Sequence, residues 1–101
     1  MIIYNVTVKL DWAIHEAWLA WVQEEHMPEV AATGCFTRYQ LVRLLEVDEK
    51  DGPTYAAQYF ANNRSDYNRY IEIFAAAMRQ KAIDKWGKGF VAFRSLMQIV
   101  Q

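Results

Sequence analysis

From Ile2 to Leu10 the apolar side chains fall on alternate positions. Ile2, Tyr4, Val6, Val8 and Leu10 share one parity, and Ile3, Asn5, Thr7 and Lys9 share the other. A period of two, rich in β-branched residues, predicts a strand. After Asp11, a good N-cap, the period lengthens. Ile14, Ala17, Trp18, Trp21, Val22 and Glu25 recur at helical spacing and predict a helix over residues 12–26. Pro28 has no amide hydrogen, so it is expected to end that helix and start a short turn through Glu29, Val30 and Ala31, closed by Gly34. Residues 35–47 read as a long second strand, with Tyr39, Leu41, Arg43, Leu45 and Val47 on one face. Asp48-Glu49-Lys50-Asp51-Gly52-Pro53 is a turn, which predicts an antiparallel third strand over residues 54–62. Asn63 or Ser65 is placed to cap a second helix with the buried stripe Tyr67, Tyr70, Ile71, Phe74, Met78 and Ala82. That helix ends near Trp86-Gly87-Lys88-Gly89, and residues 90–100 form the last strand.

The order β-α-β-β-α-β predicts an α+β chain forming one unit over residues 1–101. Its expected architecture is a ferredoxin-like sandwich, one four-stranded antiparallel sheet with two helices on one face. A sheet covered on one side should show one apolar and one polar face. The second and fourth strands depart from that rule, since Phe90 and Leu96 alternate with Val91, Phe93, Met97 and Ile99. One layer of helices cannot cover both faces. A second copy of the sheet is the preferred cover, giving a homodimer through the open sheet face. A small apolar or anionic ligand is the other.

Composition bounds the class. With 101 residues, 53% of them hydrophobic and 23% charged, disorder is excluded and the core is adequate without disulfides. A net charge of -1 argues against a nucleic-acid or membrane-surface binder. No run approaches the roughly 20 apolar residues needed to span a bilayer, and no basic leader precedes Ile2, so a cytoplasmic location is expected. Cys35, the one cysteine, reads as a small apolar filler. The fifteen aromatics are the excess to be explained.

The segments Met1-Ile2-Ile3-Tyr4-Asn5-Val6-Thr7, Trp18-Leu19-Ala20-Trp21, Glu25-His26-Met27-Pro28-Glu29-Val30 and Ala32-Thr33-Gly34-Cys35-Phe36 resemble a small bacterial family, domain of unknown function 4286. Thr54-Tyr55-Ala56-Ala57-Gln58-Tyr59-Phe60 and Phe90-Val91-Ala92-Phe93-Arg94-Ser95-Leu96 extend the likeness over nearly the whole chain. The resemblance implies a ferredoxin-like fold of the dimeric α/β-barrel superfamily, in which two sheets pack face to face. It implies no activity. The His26-Met27-Pro28 step is also similar in layout to antibiotic-biosynthesis and haem-degrading monooxygenases and to muconolactone-isomerase-like enzymes.

Candidate chemistry is sparse. His15 and His26 are the only histidines, about 16 Å apart along one helix, so no shared metal site is expected. His15 reads as a helix-surface residue. His26 has two readings, a positive cap on the helix carboxyl end or a proton-transfer residue at a pocket mouth. In both, the flanking carboxylates Glu25 and Glu29 should raise its pKa. Asn5 is either a sheet-face polar group or an amide that orients a carbonyl or dioxygen. Arg38, Arg43 and Arg94 lie within strands and need partners, either Glu46, Glu72 and a second subunit's carboxylate, or an anionic ligand. Arg79, Lys81, Lys85 and Lys88 gather at a helix carboxyl end, which reads as solvated.

The leading functional expectation is a homodimeric binding or accessory domain. The alternative is a small cofactor-independent monooxygenase- or isomerase-like enzyme acting on an aromatic metabolite between sheet and helices. In that enzyme His26 would be the acid/base, Asn5 and Arg38 the polarising groups, and Trp18, Trp21 and Tyr59 the apolar wall. No cofactor is expected in either case. The RNA-recognition motif shares the element order, and Tyr4, Tyr55 and Tyr59 could be read as base-stacking residues. However, Thr54-Tyr55-Ala56-Ala57-Gln58 lacks that motif's basic residue and glycine.

Overall fold

The computed structural model describes all residues, Met1–Gln101. Four strands, β1 (Ile2–Leu10), β2 (Arg38–Arg43), β3 (Thr54–Ala61) and β4 (Phe90–Gln98), form one antiparallel sheet in the order β2-β3-β1-β4. All helical segments lie on one side of it, as the ferredoxin-like order requires. β1 is central and sets the parity of its neighbours. Tyr4 pairs with Tyr59 and Leu96, and Asn5 pairs with Gln58 and Ser95. The even positions of β1 therefore meet the helices, and the odd positions form the open face.

The first helical arm is continuous from Trp12 to Ala31, where the sequence predicts a break at Pro28. It runs through a 3-10 turn (Trp12–Ile14), α1 (His15–Trp21), a π turn (Val22–His26) and α2 (Met27–Ala31). Pro28 cannot donate an amide hydrogen, so the chain widens by one residue just before it: the Met27 N–H reaches back five residues to the Val22 carbonyl. The proline then sits in the first turn of α2, where its missing N–H costs nothing. The second arm comprises α3 (Arg64–Ile73) and α4 (Ala75–Trp86), which part at Phe74 (φ -114°, ψ -30°). Asn63, not Ser65, caps α3, its side chain accepting from the Asp66 N–H at 2.9 Å.

β2 is much shorter than the predicted strand. Cys35 and Phe36 are buried in the core before it begins, and the ladder closes where the Leu44 N–H donates to Thr54 O (2.9 Å). Glu46 then takes a left-handed φ of 59° and turns the chain away. The core lies between sheet and helices. At its centre the Tyr4 ring is surrounded by those of Phe36, Tyr59, Tyr67 and Tyr70, with centroids 5.6–6.2 Å away. These are offset and tilted geometries in which aromatic pairs attract. Tyr55 and Tyr59 face the same side, so the rings that a base-stacking surface needs are buried beneath the helices.

The turn before β3 crosses the end of β1. A Cβ at Gly52 would lie 1.5 Å from the Leu10 carbonyl oxygen, whereas one at Gly34 (φ 79°) meets nothing within 4 Å. Gly52→Ala is expected to cost about 3 kcal/mol or more, because the turn must leave β1. Gly34→Ala should cost about 1 kcal/mol of backbone strain alone. Urea unfolding of the two variants checks this, and equal costs would show that the turn is free to move.

Candidate functional site

Between the helices and the β4 side of the sheet lies a cavity of about 60 Å³. Its walls are mainly apolar, with Trp18, Trp21 and Val22 from the first arm, Tyr59 from β3, Met78 from α4 and Phe90 from β4. Polar atoms enter it from four elements. Tyr4 projects from β1, and its hydroxyl oxygen accepts from Arg79 Nη2 (3.3 Å) on α4 and from Arg94 Nε (3.2 Å) on β4. His26 arrives from the π turn. Arg79 Nε and His26 Nδ1 are buried and have no hydrogen-bond partner. The two ion pairs of the chain, Arg43–Glu49 and Lys81–Glu29, lie elsewhere. Two guanidinium groups thus meet on one neutral phenol without a carboxylate between them.

The His26 ring stacks on Trp21 with centroids 4.5 Å apart and planes at 19°. Burial, reinforced by the positive charge of Lys81, pushes its pKa down from 6.5 to about 4. The direction is opposite to the sequence expectation and weighs against a charged helix cap at neutral pH. The flanking carboxylates do not act on the ring, since Glu25 is exposed to water and Glu29 pairs with Lys81. Burial also raises the Tyr59 and Tyr70 phenols well above their usual range, so both stay protonated.

Of the residues singled out from the sequence, His26, Trp18, Trp21 and Tyr59 line this cavity together. Asn5 and Arg38 lie on the other side of the sheet, because strand parity sends them there. Asn5 is 6% exposed and Thr7 8%, and they belong to a polar row across three strands. Gln40 Nε2 donates to Gln58 Oε1 (2.7 Å), Gln58 Nε2 to Asn5 Oδ1 (3.2 Å) and Asn5 Nδ2 to Thr7 Oγ1 (2.9 Å). The Arg38 guanidinium lies 3.6 Å over the Phe60 ring. Arg43 pairs with Glu49 rather than with Glu46 or Glu72. His15 is half-buried, not a surface residue, because its Nε2 shares a 2.7 Å hydrogen bond with the Tyr55 hydroxyl.

Sequence reasoning missed Tyr4 and Arg79 as site residues. Arg79, grouped with the solvated lysines of its helix end, is half-buried and turned inward. Its spacing carried a signal: it stands four residues after Ala75, which is buried in the core, and so lies on the same helix face.

A family described as Domain of unknown function (DUF4286) matches residues 1–100. No curated protein matches the chain. Among solved structures, a dimeric ferredoxin-like protein from an uncultured marine organism is similar at a TM-score of 0.72 and 11% identity, covering 100% of this chain and 96% of that one. An ethyl tert-butyl ether D (EthD) family protein from Bacillus halodurans C-125 gives 0.68 and 11%, covering 98% and 100%. SnoaB, a cofactor-independent oxygenase from Streptomyces nogalater, solved as its N63A mutant, gives 0.67 and 15%, covering 99% and 93%. At these identities the likeness is one of fold.

The depressed pKa of His26 makes stability depend on pH. Between pH 6.5 and about 4 the unfolded chain binds a proton at this ring that the folded chain excludes. Stability from this residue is therefore full above pH 6.5 and falls as the pH drops toward 4, by about 3 kcal/mol in all. His26→Gln should flatten that part of the stability–pH curve. Urea titrations of both proteins at pH 7, 6, 5 and 4 check this, and parallel curves would contradict it.

Proposed function

The chain belongs to the DUF4286 family, whose description assigns no activity, and from its geometry we propose that it is a homodimeric binding domain. Two copies join through their open sheet faces, and the helix-side cavity of each is the binding site. The observation that carries this reading is the composition of the open face. Val91 is 67% exposed and Phe93 60%, and Val42 and Met97 are exposed on the same face. Between them, Asn5, Thr7, Gln40 and Gln58 bond to one another instead of reaching outward. These bonded amides lose little by leaving water, and burying the apolar groups around them is favourable. The similar marine protein is described as dimeric, which supports a homodimer.

A monooxygenase- or isomerase-like enzyme acting on an aromatic metabolite needs a pocket of at least roughly 300 Å³. The cavity, at about 60 Å³, is well short of that. Its histidine has no hydrogen-bonded partner at Nδ1 to orient it, and Asn5 and Arg38 do not reach it. The geometry favours holding a small ligand over transforming a large one.

Sedimentation equilibrium at micromolar concentration should return about twice the chain mass of 11.9 kDa. Phe93→Asp, at an exposed position that leaves the helix-side core intact, should weaken association by 100-fold or more. Each dimer would lose two buried rings, of about 2 kcal/mol each, and bury two unpaired charges. A wild-type chain that stays monomeric at these concentrations would overturn the dimer.

A further inference from the structure

We propose that the helix-side cavity binds a small monocarboxylate, its head group held by Arg79, Arg94 and the Tyr4 hydroxyl, its short apolar body against Trp18, Val22 and Met78. The inference deepens the binding-domain reading and rests on it, but does not depend on dimerisation.

The first ground is charge. Arg79 is half-buried, Arg94 stands at the exposed edge strand, and neither has a carboxylate partner in the chain. A guanidinium drawn away from water, as that of Arg79 is, is ordinarily paired, because desolvating a charge is costly. Here both arginines converge on the Tyr4 hydroxyl, a neutral acceptor. A monoanion would supply the missing countercharge.

The second ground is the supply of hydrogen-bond donors. Arg79 Nε has no partner, and Arg94 uses only its Nε, leaving its terminal nitrogens free. The Tyr4 oxygen accepts both arginines, so its own hydrogen is available to donate. A planar carboxylate with two oxygens matches donors that come from two guanidinium forks and one hydroxyl. His26 Nδ1, also without a partner, can take a further contact.

Volume and lining narrow the class. A cavity of about 60 Å³ is far below the roughly 300 Å³ at which drug-sized ligand pockets begin, so it suits a carboxylate with a short alkyl body rather than a ring system. Apart from these arginines, the tyrosines and His26, its lining is apolar. That suits an alkyl body and disfavours phosphate, whose remaining oxygens would face Trp18 and Met78 without donors.

The test is a titration of the ¹⁵N-labelled full chain, followed by amide and indole resonances at constant ionic strength. The probes are sodium propionate, its neutral isostere propionamide and inorganic phosphate. Propionate should shift the indole resonances of Trp18 and Trp21 saturably, with a Kd on the order of 1 mM. Arg94→Gln and Arg79→Gln should each weaken it about tenfold or more. Lys50→Gln, which removes the same charge in the exposed turn before β3, should leave it unchanged. If propionamide binds as well as propionate, the cavity binds ligands but the carboxylate assignment is wrong. Tighter binding of phosphate at the same resonances would also overturn it, as would unaltered affinity in both arginine variants. If no probe gives saturable shifts, the binding reading of the cavity falls with it.

Discussion

The Tyr4 hydroxyl takes one guanidinium N–H from Arg79 and another from Arg94, while four aromatic rings fix the Tyr4 ring that carries it. This arrangement follows from the pleat of β1. As the central strand, β1 must send successive side chains to opposite sides, so Tyr4 goes under the helices and Asn5 goes to the open face. A shift of one residue would put a phenol among the open-face side chains and an amide in the aromatic core. The helical layer and the edge of the sheet are tied through the same point. Arg79 reaches it from the second helical arm and Arg94 from the edge strand β4.

The two faces of the sheet solve the polar-group problem differently. On the open face the amides and hydroxyl of Gln40, Gln58, Asn5 and Thr7 satisfy one another, and the exposed apolar side chains of Val42, Val91, Phe93 and Met97 share that face with Lys9, Arg38 and Ser95. That face is ready to be covered by a like surface. On the helix side the polar groups are incompletely satisfied: a histidine nitrogen and a guanidinium nitrogen are buried without partners beside a small cavity. Self-satisfied polar rows fit an interface between copies, and unsatisfied convergent donors fit a ligand. The π turn belongs to the second case. By lengthening the helix ahead of Pro28, it carries His26 onto Trp21 and into the cavity wall.

Much of the fold was legible because it rests on periodicity. The alternation in Ile2–Leu10 and the stripe from Tyr67 to Ala82 each match what the core requires, and the excess of apolar residues on β4 was visible as a two-faced strand. The errors came where a local rule met a tertiary one. Pro28 reads as a helix end, yet a π turn absorbs its missing hydrogen bond. The extended run from Cys35 to Val47 reads as one strand, yet its first residues are drawn into the core and Glu46 turns its end away. The site was legible only in part. Trp18, Trp21, His26 and Tyr59 share the helix side by parity and helical spacing, but Asn5 and Arg38 were grouped with them as chemistry without regard to the strand face they occupy. Arg79 was hidden among surface lysines, because charge runs at helix ends are usually solvated. Which way one arginine turns depends on a phenol 75 residues away in sequence.

The central claim is that the two sheet faces have separate roles, the open one meeting a second copy and the covered one enclosing the cavity. An isotope-filtered NOE experiment on dimers formed from one labelled and one unlabelled chain tests it most directly. The account predicts contacts between copies from the side chains of Val42, Val91, Phe93 and Met97, and none from Trp18, Trp21 or His26. Intermolecular contacts confined to the helical arms, or none from the open face, would contradict it.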